Sequence, residues 1–391
     1  MLETSTARVQ KASSLKSEFF RIGIFGGAGL VVGCILLGFF WGWPKALQWL
    51  FQAALIWAFI CYQTECRLHL NRSVAQAPLY DNLGLANRLT LLRSWLIAAV
   101  AGFVFQPWPE GPVFAWLPGM IYFFAAILDR VDGYAARRTG QFSLLGAELD
   151  TVSDALGLAV ASLLAYGYGQ LHWSYLLVGI AYYLFQAGML WRKSRELPVY
   201  PLPPAFHRRA WAGFQMGFLV VALWPLFFPP VTKVAGFAFM PPVLLGFIID
   251  WLFVSGRIKE QAGGGSQRFQ ELGVLSHSVL QPALRIAVVV LIVVSVLQSG
   301  LPLLPNSSIA LLNNILMGGL AFTSLMVLLG IAGRYFSVLL IGLLAWYYIT
   351  NPLLPVDYVL LCCVIWLLLL GTGRFSLWQE DDHWLNGYDG A

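Results

Sequence analysis

Charge is what this sequence has least of. Asp, Glu, Lys and Arg make up 11% of its 391 residues, against about 25% in an ordinary soluble domain. With 59% apolar residues and a mean hydropathy of +0.71, a water-soluble globular enzyme is excluded, as are disordered and collagen-like chains. Cysteine is scarce too: five residues and no CxxC give neither a disulfide framework nor a zinc knuckle. Cys34, Cys61, Cys362 and Cys363 lie inside apolar runs and read as small buried hydrophobes. The five histidines are dispersed, without HExxH or paired metal spacing. P-loop and Rossmann glycine fingerprints are absent.

What is there is a series of apolar runs. Ten have spanning length, at about 22–43, 46–63, 89–107, 112–128, 151–171, 173–191, 211–229, 233–255, 279–299 and 309–330. Two shorter ones follow at about 335–350 and 355–371. A run of about 17–25 residues crosses a bilayer as a helix. The expected fold class is therefore an all-α, polytopic integral membrane protein with about twelve transmembrane helices. The first run follows basic residues but lacks a small-residue cleavage site, and reads as a retained helix.

The net charge of +5 is scattered in short gaps between the runs. That is a membrane pattern, and nucleic acid is not an expected partner. With the N-terminus in the cytoplasm and sides alternating through twelve spans, 22 of the 24 Lys and Arg residues fall on the cytoplasmic side. Lys45 and Lys233 are the exceptions. The positive-inside rule thus predicts a multi-pass protein of the cell membrane with both termini cytoplasmic. Trp41, Trp43, Trp108 and Trp116 lie near span ends and read as interfacial anchors.

Segment 64–88 is polar and mixed, and is expected to lie along the membrane surface as a short amphipathic helix. Segment 256–278, with Gly263, Gly264, Gly265 and Ser266, is the best linker in the chain. Asp250 and Arg285, near the inner ends of spans on either side of that linker, read as charges snorkelling to the interface. The expected division is 1–84, two helices and a juxtamembrane segment; 85–255, a core; 256–278, the linker; and 279–391, a four-helix block with an acidic tail at Glu380, Asp381 and Asp382.

Aspartate is rare, ten in all, yet Asp129, Asp132, Asp150 and Asp154 fall within 26 residues at the expected cytoplasmic ends of two consecutive spans. Spacings of three and four place each pair on one helical face. Carboxylates gathered at a helix hairpin repel one another unless a cation sits between them. Hard oxygen ligands suit Mg²⁺, Mn²⁺ or Ca²⁺. The competing reading is a set of solvated loop-end charges paired with Arg130, Arg137 and Arg138. Gly133, Ala136 and Gly146 remove side-chain bulk beside the carboxylates, and Arg137 supplies a cation suited to phosphate oxygens. Together these are the parts of a phosphoryl-transfer site.

The stretch Asp129-x2-Asp132-Gly133-x2-Ala136-Arg137-x8-Gly146-x3-Asp150-x3-Asp154 resembles the signature of the CDP-alcohol phosphotransferases at all eight fixed positions. Asn87-x2-Thr90-x2-Arg93 resembles a second element of that family. The resemblance covers about 85–255 and implies a six-helix catalytic core. It implies that Asp129, Asp132 and Asp150 hold divalent ions, Mg²⁺ or Mn²⁺ and two in number, and that Asp154 is the general base on or near a metal. Gly133, Ala136, Arg137 and Gly146 would shape the CDP pocket together with Asp129, with Asn87, Thr90 and Arg93 nearby. The implied reaction is attack of an alcohol on the β-phosphorus of a CDP-linked substrate, releasing CMP. A homodimer is the family expectation.

The wording Ala136-Arg137-Arg138-Thr139-Gly140 and Gly146-Ala147-Glu148-Leu149-Asp150 looks more like the bacterial phosphatidyltransferases, which use a CDP-diacylglycerol-type donor and a polar acceptor. The alternatives are a CDP-choline or CDP-ethanolamine phosphotransferase acting on diacylglycerol and, from another class, a cation-binding membrane transporter. Carboxylates at span ends and the lack of an internal repeat speak against the transporter. Arg192, Lys193 and Arg195, with His207, Arg208 and Arg209, lie on the same expected face as the aspartates. They are candidates for binding a phosphorylated acceptor; the simpler reading is a topology signal touching anionic headgroups. The C-terminal block, ending Gly371-Thr372-Gly373-Arg374-Phe375-Ser376, resembles the DoxX-like membrane family, which implies no defined chemistry.

Overall fold

The computed structural model describes residues 5–202, 206–258, 274–299, 307–378 and 380, with side chains described from residue 11, from residue 211 after the gap at 203–205, and from residue 311 after the gap at 300–306, those of 349 and 350 excepted. Each of the twelve expected runs is an α-helix. They are α1 (Ser5–Trp41), α2 (Trp43–Arg67), α3 (Gly84–Ala101), α4 (Leu117–Thr139), α5 (Leu144–Gly167), α6 (Leu176–Ser194), α7 (Phe206–Ala222), α8 (Pro229–Val254), α9 (Gln281–Ser299), α10 (Ser307–Leu329), α11 (Gly333–Thr350) and α12 (Pro355–Leu370). No strand occurs among the described residues. Among the described residues, eight helices are long and apolar enough to cross a membrane, and the chain is a multi-pass membrane protein. Large apolar side chains such as Phe25, Phe39 and Phe51 face outward, as suits helices whose surroundings are hydrocarbon.

The described residues form two compact units. The first comprises residues up to Tyr183 together with Gln215–Leu226. Its first two helices pack through glycines on α1 that receive tryptophans. A Cβ at Gly26 would stand 2.5 Å from the Trp57 ring, and one at Gly33 2.9 Å from Trp49. Trp49 continues across to α3, where its Nε1 donates to the Ala99 carbonyl at 2.9 Å. Trp95 of α3 reciprocates by donating to the Gly26 carbonyl at 2.8 Å. These glycines leave room for the indole rings to lie against the α1 backbone. These tryptophans are packing elements. Trp108, expected as an anchor, stacks on Tyr168 with ring centroids 4.5 Å apart.

The polar stretch after α2 does not form the expected amphipathic helix. One 3₁₀ turn, Leu68–Leu70, follows α2, and irregular chain then runs to Gly84, whose φ of +79° lies in the left-handed region. Backbone bonds hold this loop: Tyr80 N donates to Asn71 O at 2.9 Å, and Leu144 N donates to Arg72 O at 2.9 Å. Lys11 and Glu18 of α1 pair with Asp81 and Arg88 on either side of the turn into α3, at 3.1 and 2.6 Å.

The second unit comprises Leu184–Phe214 and the described residues from Phe227 onward. Within it α12 packs on α8, α9 and α11, and Trp366 Nε1 donates to the Ala238 carbonyl of α8 at 3.2 Å. Arg285 does not snorkel. It is 6% exposed and donates to the Thr372 carbonyl at 3.2 Å, Ser376 Oγ at 2.8 Å and the Phe375 carbonyl at 3.3 Å. A guanidinium taken out of water needs such partners, and here they are supplied by the Gly371–Ser376 turn. Asp357 is fully buried, accepting from Ser295 Oγ at 2.5 Å and Leu354 N at 2.7 Å. Most of the expected 256–278 linker, residues 259–273 including its glycines, lies outside the described residues.

Candidate active site

The four aspartates lie within helices, which removes the reading of them as loop-end charges. α4 continues past its apolar run to Thr139 and stops at Gly140, whose φ of +64° is the left-handed conformation that ends helices. Ser143 then caps α5, its Oγ accepting from Gly146 N at 3.0 Å. The intervening turn is short, so Asp129 and Asp132 on the last turns of α4 return to meet Asp150 and Asp154 on the early turns of α5. Both helices pack chiefly against α3, which brings its own side chains between them.

Arg93 of α3 is the centre of the arrangement. It is 1% exposed. Its Nη1 lies 2.8 Å from Asp129 Oδ1, 2.8 Å from Asp150 Oδ1 and 3.9 Å from Asp132 Oδ2, while Nη2 donates to Asp154 Oδ1. One turn earlier Thr90 Oγ1 donates to Asp132 Oδ2 at 2.9 Å. Asp132 is buried, Asp129 and Asp154 are partly open, and Asp150 is the most exposed of the four. One oxygen each from Asp129, Asp132 and Asp150 lies within 4.8 Å of the other two. Ligands on opposite sides of an octahedral Mg²⁺ stand about 4.2 Å apart. The oxygen-only donor set and its span therefore fit a hard divalent cation, with small inward movement.

Asn87 supports this group from below. Its Nδ2 donates to Asn71 Oδ1 at 3.1 Å and to Ser143 Oγ at 3.0 Å, tying α3 to the α5 cap. Gly146 makes room for it: a Cβ there would stand 2.5 Å from Asn87 Oδ1. At Gly133 a Cβ would meet nothing nearer than Arg137 Nη1 at 3.6 Å, so that face of α4 is open. Ala136 is half-buried and Arg137 exposed beside it.

Several contributors were not singled out from sequence. Asn71 and Ser143 complete the Asn87 network, and Ser94 and Ser153 join α3 to α5 through hydroxyls 2.6 Å apart. Tyr122 shares with Arg93, Ser153 and Gly157 a cavity of about 10 Å³, and its buried hydroxyl has no hydrogen-bond partner among the described residues. Arg192, Lys193 and Arg195, at the end of α6, belong to the second unit, where Arg192 donates to the carbonyls of Pro198 at 2.8 Å and Ser255 at 3.3 Å. The side chains of His207, Arg208 and Arg209 lie outside the described residues.

Residues 83–252 match the family model of CDP-alcohol phosphatidyltransferase, and the whole aspartate group lies inside that match. Over this stretch the chain is similar to the CDP-alcohol phosphatidyltransferase family. Among similar proteins, the CDP-diacylglycerol–glycerol-3-phosphate 3-phosphatidyltransferase of Pectobacterium atrosepticum is 37% identical over 87 residues, 22% of this chain and 46% of that protein. Choline/ethanolaminephosphotransferase 2 of Arabidopsis thaliana is 35% identical over 102 residues, 25% of either chain. The CDP-diacylglycerol–serine O-phosphatidyltransferase of Methanocaldococcus jannaschii is 46% identical over 41 residues, 10% of this chain and 20% of that protein. The chain spans less than half the length of these curated relatives. No solved structure matches it.

Proposed function

We propose that this protein transfers a phosphatidyl group from a CDP-diacylglycerol-type donor to a polar alcohol, with release of CMP, in phospholipid biosynthesis. The observation that carries the reading is the trio of carboxylate oxygens from Asp129, Asp132 and Asp150 within 4.8 Å, inside the family match. In this reading those residues hold two divalent ions, Mg²⁺ or Mn²⁺, with Asp154 beside them. When bound, the ions cancel charge on the diphosphate and on the departing CMP. Asp154 takes the proton of the acceptor hydroxyl as its oxygen bonds to the β-phosphorus, and the bond from that phosphorus to the CMP oxygen breaks. The open face at Gly133 and Ala136 admits the CDP group, and Arg137 offers N–H donors to phosphate oxygens. Thr90, Asn87 and Gly146 hold the walls on which the aspartates stand.

The site faces the cytoplasm of the cell membrane in this reading, supported by the 22 of 24 basic residues on that side of the expected topology. A lipid donor then enters sideways from the bilayer while the acceptor arrives from water. The 85–255 core carries the chemistry, the 279–391 block accompanies it, and the assembled unit is a homodimer. Arg192, Lys193, Arg195, Arg208 and Arg209 are candidate contacts for a phosphorylated acceptor. The similarity to the Arabidopsis choline/ethanolaminephosphotransferase favours one second reading, transfer from CDP-choline or CDP-ethanolamine to diacylglycerol.

The test is CMP release by purified protein with Mg²⁺ or Mn²⁺. CDP-diacylglycerol is paired in turn with glycerol phosphate, serine, inositol and inositol phosphate, and CDP-choline is paired with diacylglycerol. Release only with the last pair moves the assignment to the second reading. No release with any pair, in protein shown to be folded, removes both.

A further inference from the structure

Arg93 is not placed like a residue waiting for a nucleotide. It is buried, and a buried guanidinium persists only among compensating charges. Its Nη1 makes 2.8 Å contacts with Asp129 Oδ1 and with Asp150 Oδ1, and its Nη2 is bonded to Asp154 Oδ1. Under the phosphotransferase reading, on which this inference rests, the first two carboxylates would hold divalent ions and the third would accept the proton. A guanidinium and a divalent ion drawing on the same carboxylate oxygens repel each other.

We propose that Arg93 is the built-in counter-ion of the site. It holds the four carboxylates together before divalent ions bind, and it gives up Asp129 and Asp150 when they do. The exchange also acts on Asp154. One of its oxygens, Oδ1, receives an N–H from Arg93, and that oxygen becomes free to take the acceptor's proton only after the guanidinium has turned away. Arg93 thereby makes the base available only when the site is loaded. It is a positioning residue, acting through the aspartates.

The experiment measures Mn²⁺ binding by electron paramagnetic resonance, on the full chain in lipid nanodiscs without nucleotide. Removing the competing charge in Arg93→Met is expected to tighten Mn²⁺ binding by about tenfold, while Arg93→Lys, which keeps the charge, stays near the unsubstituted protein. A structure of the unsubstituted protein with Mn²⁺ is expected to show Arg93 Nη1 beyond about 4 Å from Asp129 and Asp150, outside ion-pair range. Equal or weaker Mn²⁺ binding by folded Arg93→Met overturns the proposal; so does a Mn²⁺-bound structure that keeps both contacts, which decides the matter if the Met variant does not fold. CMP release with no change of Mn²⁺ affinity in the variants sinks only the role of Arg93. Tighter Mn²⁺ binding in Arg93→Met without CMP release from the unsubstituted protein supports the exchange and sinks the phosphotransferase reading.

Discussion

Thr90 Oγ1 donates a 2.9 Å hydrogen bond to Asp132 Oδ2, so the most buried of the four carboxylates is held by α3 while it is carried by α4. A buried carboxylate that loses a donor retains its desolvation penalty, about 1–3 kcal/mol or more. Thr90→Val keeps the shape and removes the hydroxyl. It is expected to lower stability by about that amount and to weaken Mn²⁺ binding, with Thr90→Ser restoring both. Thermal unfolding and Mn²⁺ titration check it; unchanged values for Thr90→Val would show the bond to be dispensable.

The aspartates are expected to separate by role. Asp154→Asn keeps size and hydrogen-bonding capacity but loses the base, so turnover should fall by about two to four orders of magnitude while metal-dependent CDP binding persists. Asp129→Asn and Asp150→Asn should instead weaken CDP and metal binding together. Calorimetry with CDP, with and without Mg²⁺, is compared with turnover. If all four variants lose CDP binding alike, Asp154 is a metal ligand rather than a separate base.

Gly146 is expected to admit no side chain. A Cβ at that position would stand 2.5 Å from Asn87 Oδ1 and 3.2 Å from Ser143 Oγ. Gly146→Ala therefore pushes apart the network that seats α5 on α3, for about 1–3 kcal/mol of lost stability. Thermal unfolding of the variant in detergent measures this, and an unshifted midpoint contradicts it.

Tyr122 offers the opposite expectation. Its buried hydroxyl has no hydrogen-bond partner among the described residues, so Tyr122→Phe removes a desolvated polar group and breaks no bond seen there. Stability should be unchanged or slightly raised. A clear loss would indicate an ordered water in the adjoining cavity, which at about 10 Å³ is near the minimum for one.

Ending the chain at Gly263 tests the expected division of the molecule. The residues of the aspartate site all precede that point, so CDP binding should survive. Stability should fall, because α8 would lose the face on which α12 packs and the bond from Trp366 to Ala238. Loss of all CDP binding in a folded, shortened chain would make the C-terminal block part of the site.

Much of this architecture is legible along the chain because membrane helices are written as long apolar runs. Twelve runs became twelve helices, and the spacings of Asp129, Asp132, Asp150 and Asp154 sufficed to place them on facing helices. These are local properties, set by hydrocarbon solvation and by the helical repeat. Partnership is different, since it depends on which backbones come close. Nothing in the sequence around Arg93 says that its guanidinium ends among four carboxylates, because those partners lie 36 to 61 positions away and meet it only when α4 and α5 close on α3. Asn71, in a stretch that reads as a surface helix, is instead fully buried against Asn87. Trp49 and Trp57 fill the space left by glycines on α1, a pairing no hydropathy pattern records. The sequence by itself determined that the chain is a bundle of membrane helices bearing a carboxylate site. The tertiary structure decided that the Arg93 guanidinium lies among those carboxylates, because a buried charge takes its partners from whatever groups packing brings within reach.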